Sequence, residues 1–193
     1  MSQSARFIFN KRPVLVYDYL VVGDLFLIAL FDGITWTFVD HHHLEPLFEL
    51  IEDRQLTLVG FGNADLGDHI LQFLLTHRQP TVLQITALTT LLAKPWNDRT
   101  KDERNELNSL TYGTPIPWAF TVDLARVIAK PRLSLAAWQC RLGCERVTMD
   151  DGPQSGNVAS RPAAETVLRD RITTMALLLE RAQPLLAMRS TLI

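Results

Sequence analysis

Residues Val14 to Phe31 read VLVYDYLVVGDLFLIALF, and no other stretch narrows the accessible folds as far. β-Branched and aromatic side chains dominate it, and Gly23-Asp24 is the one turn-forming break. The spacing therefore predicts two central strands joined by a tight turn. One carboxylate, Asp18, is expected at the end of the first strand. Strand side chains alternate faces, so Asp18 shares its face with Val14, Val16 and Leu20. An acid in that setting either anchors a site or solubilises a strand end.

Downstream, Asp32-Gly33 signals another turn, and Ile34 to Val39 reads as a third strand, which makes the opening an antiparallel meander. Asp40 is expected to cap a helix carrying Leu44, Leu47, Phe48 and Ile51 at helical spacing. His41, His42 and His43 then fall in its first turn. Consecutive helical side chains point about 100° apart, so these imidazoles cannot converge on one ion. Gln55 to Phe61 is predicted as a fourth strand, and Leu66 to Leu75 as a helix with Ile70, Phe73 and Leu74 inward. A further helix covers Thr81 to Leu92, with Pro80 in its first turn. Lys94 to Pro117 is polar and proline-bearing and reads as a long loop or lid. Ala119 to Leu124 is a short fifth strand, Ser134 to Leu142 a helix, and Met149 to Pro162 a loop. A last helix runs from about Ala163 to Ala182 with an apolar stripe of Ala164, Leu168, Ile172, Met175 and Leu179. Together these elements predict one α/β domain over residues 1–193, built on a mixed five-stranded sheet flanked by helices.

Composition sets outer bounds. The chain has 193 residues, 47% of them hydrophobic and 21% charged, as expected of a globular domain with a sizeable core. Its net charge of −2 gives no global pull towards nucleic acid. The cations are nevertheless biased, 15 of 19 being Arg, whose forks suit phosphates and carboxylates. The apolar run Leu25 to Phe31 is too short to span a bilayer. The segment MSQSARFIFNKRP lacks the apolar centre of a signal peptide, so a cytoplasmic setting without membrane contact is the expectation. Cys140 and Cys144 read as reduced packing residues on one helix.

Four separated stretches, in order, carry a resemblance. They are Val16-Tyr17-Asp18-Tyr19-Leu20 with Leu25-Phe26-Leu27; Leu58-Val59-Gly60-Phe61 with Asn63 and His69-Ile70-Leu71; Val122-Asp123-Leu124 with Ser134-Leu135 and Leu142-Gly143; and Asp170 with the helix after it. In these stretches the chain resembles the 3′–5′ exonuclease domain of phage-type DNA polymerases, in the ribonuclease-H-like superfamily. The resemblance implies a ribonuclease-H-like sheet and, in the family, hydrolysis of a terminal phosphodiester by two divalent metals on four carboxylates. Hard ions such as Mg²⁺ take oxygen ligands.

Residue by residue, the match departs from the family at the chemistry. Asp18 matches the first acid and Asp170 the last, and these are the metal ligands the resemblance implies. The Glu position is Leu20, the middle Asp falls on Gly67, and the catalytic Tyr position is Thr166. Asp65, Asp68 and Glu165 are candidate substitutes, Asp68 and Glu165 only with a shift of register. The resemblance therefore implies a degenerate, binding form of the fold with no cofactor, or else a divergent nuclease using Mg or Mn. The expected partner is single-stranded DNA, or a replication or host protein, including a DNA polymerase on which a split proofreading-type domain docks. A phage-encoded chain would act in the host cytoplasm. For a nucleic-acid strand, the stacking and phosphate-contact candidates are Asn63, Trp96, Arg99, Trp118 and Arg126, with Lys101 beside them.

Overall fold

A computed structural model describes residues 8–9, 12–53, 56–62, 67–111, 121–128, 133–144 and 160–190. The opening stretch forms the expected hairpin. A short β1 (Ile8–Phe9) lies antiparallel on the start of β2 (Arg12–Val22), which turns into β3 (Leu25–Phe31). Val22 pairs with Leu25 across a two-residue turn, and Gly23 supplies the φ of +55° that such a turn requires. β4 (Trp36–Asp40) completes the meander, and after α1 (Glu45–Asp53) the chain returns as β5 (Thr57–Gly60), parallel to β2. β6 (Thr121–Asp123) lies parallel to β5, so the strand order is β4-β3-β2-β5-β6. The mixed five-stranded sheet, meander first, is present, with β2 at its centre.

Alternation along β2 splits the interior into two cores. Leu15 and Tyr17 point to one face, where α1, α2 (Gly67–Thr76), α3 (Val82–Ala93) and α4 (Lys101–Thr111) contribute Leu47, Ile70, Phe73, Ile85, Leu88 and Leu107. Val14 and Val16 point to the other, with Leu124 of α5 (Leu124–Val127), α6 (Leu135–Leu142) at its border, and the long α7 (Arg161–Ser190). The expected stripe of α7 is buried: Ala164, Leu168, Ile172, Met175 and Leu179 are each no more than 1% exposed. Each large apolar side chain in that stripe contributes about 1.5–3 kcal/mol by leaving water.

Several local expectations change. Asp18 lies mid-strand, opposite Ala29, because β2 continues to Val22. Asp40 ends β4 instead of capping α1; its Oδ1 accepts from the His42 amide at 3.0 Å, and His41 to His43 form a turn before the helix. The start of α1 is organised by the Leu44 carbonyl, which accepts from the Phe48 amide at 3.1 Å. Pro80 precedes α3, and Thr81 is the cap, in a reciprocal box with Gln84. The stretch Lys94 to Pro117, predicted as a long loop or lid, carries a short 3-10 turn (Trp96–Asp98) and α4, whose Leu107 is buried against α2 and α3. Only its end, 112–117, lies outside the described residues. Cys140 is exposed on α6, so it is not a packing residue. α7 starts two residues earlier than expected and runs on to Ser190.

Candidate functional site

The face of the sheet beneath α7 holds Asp18. Register places Asp18, Ala29 and Phe38 in one row across β2, β3 and β4, and Leu20, Leu27 and Asp40 in the next. Directly opposed residues share a face, so both acids point towards α7. Asp18 Oδ1 accepts from the Tyr19 amide at 2.9 Å, and its Oδ2 stands 3.6 Å from Nη1 of Arg171 on α7. Burial beneath the helix pushes the Asp18 carboxyl above its ordinary range, and the Arg171 guanidinium and the Tyr19 amide oppose that only in part. Tyr19 is likewise raised, by burial first and by the Asp18 charge second.

Asp170 precedes Arg171 and is half-buried, with its Oδ2 atom inside the protein. Docking of α7 on β2 thus brings Arg171, the residue after Asp170, to the strand that carries Asp18. Leu20 is half-buried against the same core and offers no donor. Gly67 is buried as the first residue of α2. Asp68 accepts a hydrogen bond from the Tyr17 hydroxyl at 2.9 Å, and Tyr17 faces the opposite side of the sheet from Asp18. The register-shift substitute is therefore turned towards the wrong core. Glu165 is held by Arg161 at 3.0 Å, and the exposed Thr166 gives its hydroxyl to the Pro162 carbonyl at 3.0 Å. Asn63, Asp65 and Trp118 lie outside the described residues.

The described members of the stacking and phosphate set, Trp96, Arg99, Lys101 and Arg126, are not gathered on one face. Trp96 and Arg99 stand at the end of α3, in the layer of α1 to α4, and Arg99 donates to the Leu92 and Lys94 carbonyls at 3.0 and 2.9 Å. Its guanidinium also stacks on Trp96, 5.4 Å from the ring centre. Lys101 starts α4 on that same side. Arg126 belongs to α5 on the other face, 3.7 Å from Asp123. Asp123 itself braces the strand ends, accepting from the Gly62 and Ala125 amides at 2.8 and 2.9 Å.

No family model, no curated protein and no solved structure matches this chain. Among the described residues, no group of three or more His, Cys, Asp or Glu side chains is arranged to hold a metal ion. What dominates instead is arginine. Arg161 Nη1 reaches Asp40 Oδ2 at 2.6 Å, Arg169 lies 4.9 and 4.6 Å over the Trp36 and Phe38 rings, and Arg171 faces Asp18. Burial raises the Asp40 carboxyl, but hydrogen bonds from His43, the His42 amide and Arg161 outweigh it and hold the group below its usual range. These arginines were visible only as a compositional bias. Strand pairing was needed to show that Asp40 and Asp18 share a face.

Proposed function

We propose that this protein is a catalytically degenerate relative of the 3′–5′ exonuclease domains, acting by binding a partner instead of cutting DNA. The observation that carries the reading is Asp18: the acid on the central strand faces the protein's own Arg171, and the position two residues on is Leu20. The meander-first mixed sheet with β2 central agrees with a ribonuclease-H-like domain and supports the resemblance.

The donors do not fit a pair of hard dications. Asp18 is opposed by a guanidinium, Leu20 and Gly67 have no oxygen side chain, and Asp68 is bonded to Tyr17 on the far face. Two such metals need anionic oxygens converging on one spot. The separation of Trp96 and Arg99 from Arg126 across the sheet favours a protein partner, such as a replication or host protein, over a DNA strand. A second reading, a divergent Mg- or Mn-dependent nuclease on Asp18 and Asp170, draws on the adjacency of Asp170 to the residue that reaches Asp18.

Digestion of labelled single-stranded DNA with Mn²⁺ decides between them, with Asp18→Ala as the control. We expect no cleavage that depends on Asp18. Cleavage lost in the variant would overturn the binding reading in favour of the nuclease. A gel shift on the same DNA is expected to be blank, and a clear shift would move the partner from protein to DNA.

A further inference from the structure

α3 is unlike the other helices on the surface. Its twelve residues, VLQITALTTLLA, include no charged side chain. One face is core: Val82, Ile85, Leu88, Leu91 and Leu92 are buried. The opposite face, with Leu83, Thr86, Ala87, Thr90 and Ala93, is exposed. A helix at a protein surface normally turns charged residues to water along that side. Here Leu83 is 78% exposed in the first turn, and Trp96, just beyond the last turn, is 52% exposed.

The threonine at the centre of this face and the carbonyls at its end are already satisfied. The Thr90 hydroxyl donates to the Thr86 carbonyl at 2.9 Å, and Arg99 covers the Leu92 and Lys94 carbonyls at the helix end. Covering the face would therefore not strand the Thr90 hydroxyl at its centre, which removes the usual cost of burying that threonine. An uncharged centre with large apolar anchors is the composition of an interface core.

We propose that two copies of this chain pair through α3, antiparallel, about a two-fold axis near Thr90. The face is self-complementary: large Leu83 at one end, small Ala87, Thr90 and Ala93 between, large Trp96 at the other. A two-fold interface requires one patch to match itself reversed. Small central residues allow the helix axes to approach to about 8–10 Å, and each Trp96 then meets the partner's Leu83 end. That end opens on a cavity of about 530 Å³ bordered by Asp24, His41, Glu45 and Arg78. The guanidinium of Arg78 is stacked on Phe48, 4.5 Å from the ring centre. Trp96 carries Arg99 and Arg104 against its ring, at 5.4 and 5.3 Å. The Trp96 end carries four cations (Lys94, Arg99, Lys101, Arg104) against three acids (Asp98, Asp102, Glu103), and the Leu83 end two acids (Asp24, Glu45) against Arg78. A net cation thus meets a net anion, twice by symmetry.

Sedimentation equilibrium on the full chain tests this. The wild type should be a dimer at micromolar concentration. Thr90→Arg sets two like charges together at the axis and should weaken the dimer at least tenfold, about 1.4 kcal/mol. Leu83→Asp should also weaken it, and Thr173→Arg, exposed on α7, should leave it unchanged. Far-UV circular dichroism checks that each variant is folded. A wild type still monomeric at about 100 μM, or variants at Thr90 and Leu83 that dimerise as the wild type does, would overturn the proposal.

Discussion

An acid set mid-strand under a helix must find a cation or hold its proton. Asp18 does some of each: burial lifts its affinity for a proton while Arg171, at 3.6 Å, favours the charged form. A carboxyl whose folded affinity is raised adds stability below its ordinary value of 3.8 and loses that contribution as pH rises through the folded value. Asp18→Asn removes the neutral-pH penalty. We expect its Tm to exceed that of the wild type near pH 7, with the gap closing towards pH 4 in a thermal series. Arg171→Ala leaves the half-buried carboxylate without its cation. It should cost about 1–2 kcal/mol at neutral pH after allowing for solvent screening, recovering as the medium is acidified. An Arg171→Ala protein whose stability fell in step with the wild type at every pH would show that the pair is not coupled.

At the scale of elements, the arginines act as fasteners. Arg161 ties the first turn of α7 to the last residue of β4 through Asp40. The depressed Asp40 carboxyl contributes stability above its ordinary value of 3.8, lost as pH falls through the lower folded value. Asp40→Asn should cost about 1 kcal/mol, the size of a pair with one partly exposed member. Faster amide exchange in the first turns of α7 would locate the loss. Arg99 was a candidate for phosphate contact, and the structure gives it the carbonyl end of α3. Arg99→Ala should cost about 1 kcal/mol through the lost caps, seen as a lower urea midpoint. Helix periodicity made α2, α3, α6 and most of α7 legible in advance. α4 was not, because KDERNELNSLT is polar over most of its surface and, among its described side chains, only Leu107 is buried. Its one local sign is at the start, where the Glu103 carboxylate accepts from the Thr100 amide at 2.6 Å and the Thr100 hydroxyl from the Glu103 amide at 3.2 Å; packing against α2 and α3 does the rest.

For the whole molecule, alternation along β2 was enough to anticipate a sheet with two interiors, because Leu15 and Tyr17 cannot share a face with Val14 and Val16. Less could be read of the site. Asp18 stood out as a lone acid among apolar neighbours. Its partner lies 153 positions later, a distance that only the docking of α7 on β2 closes. Asp40 was read as a helix cap for the same reason: its row-mates Leu20 and Leu27 are a matter of register, which depends on which strands pair. The histidine run gave no hint that the aspartate before it would bond Arg161.

That long span has a consequence for how the protein is made. The face of β2 and β3 carrying Val14, Val16, Leu27 and Ala29 is covered chiefly by α7, and the Asp40–Arg161 bond joins residues 121 positions apart. On the ribosome the meander emerges first, with one apolar face finished by α1 to α4 and the other bare until residues 161 onwards follow. Contacts so distant in sequence form slowly, and an open apolar sheet invites holding by chaperones during that interval. Stalling translation ahead of Arg161 should therefore leave a nascent chain that is half-built and chaperone-bound, released only when its last helix arrives.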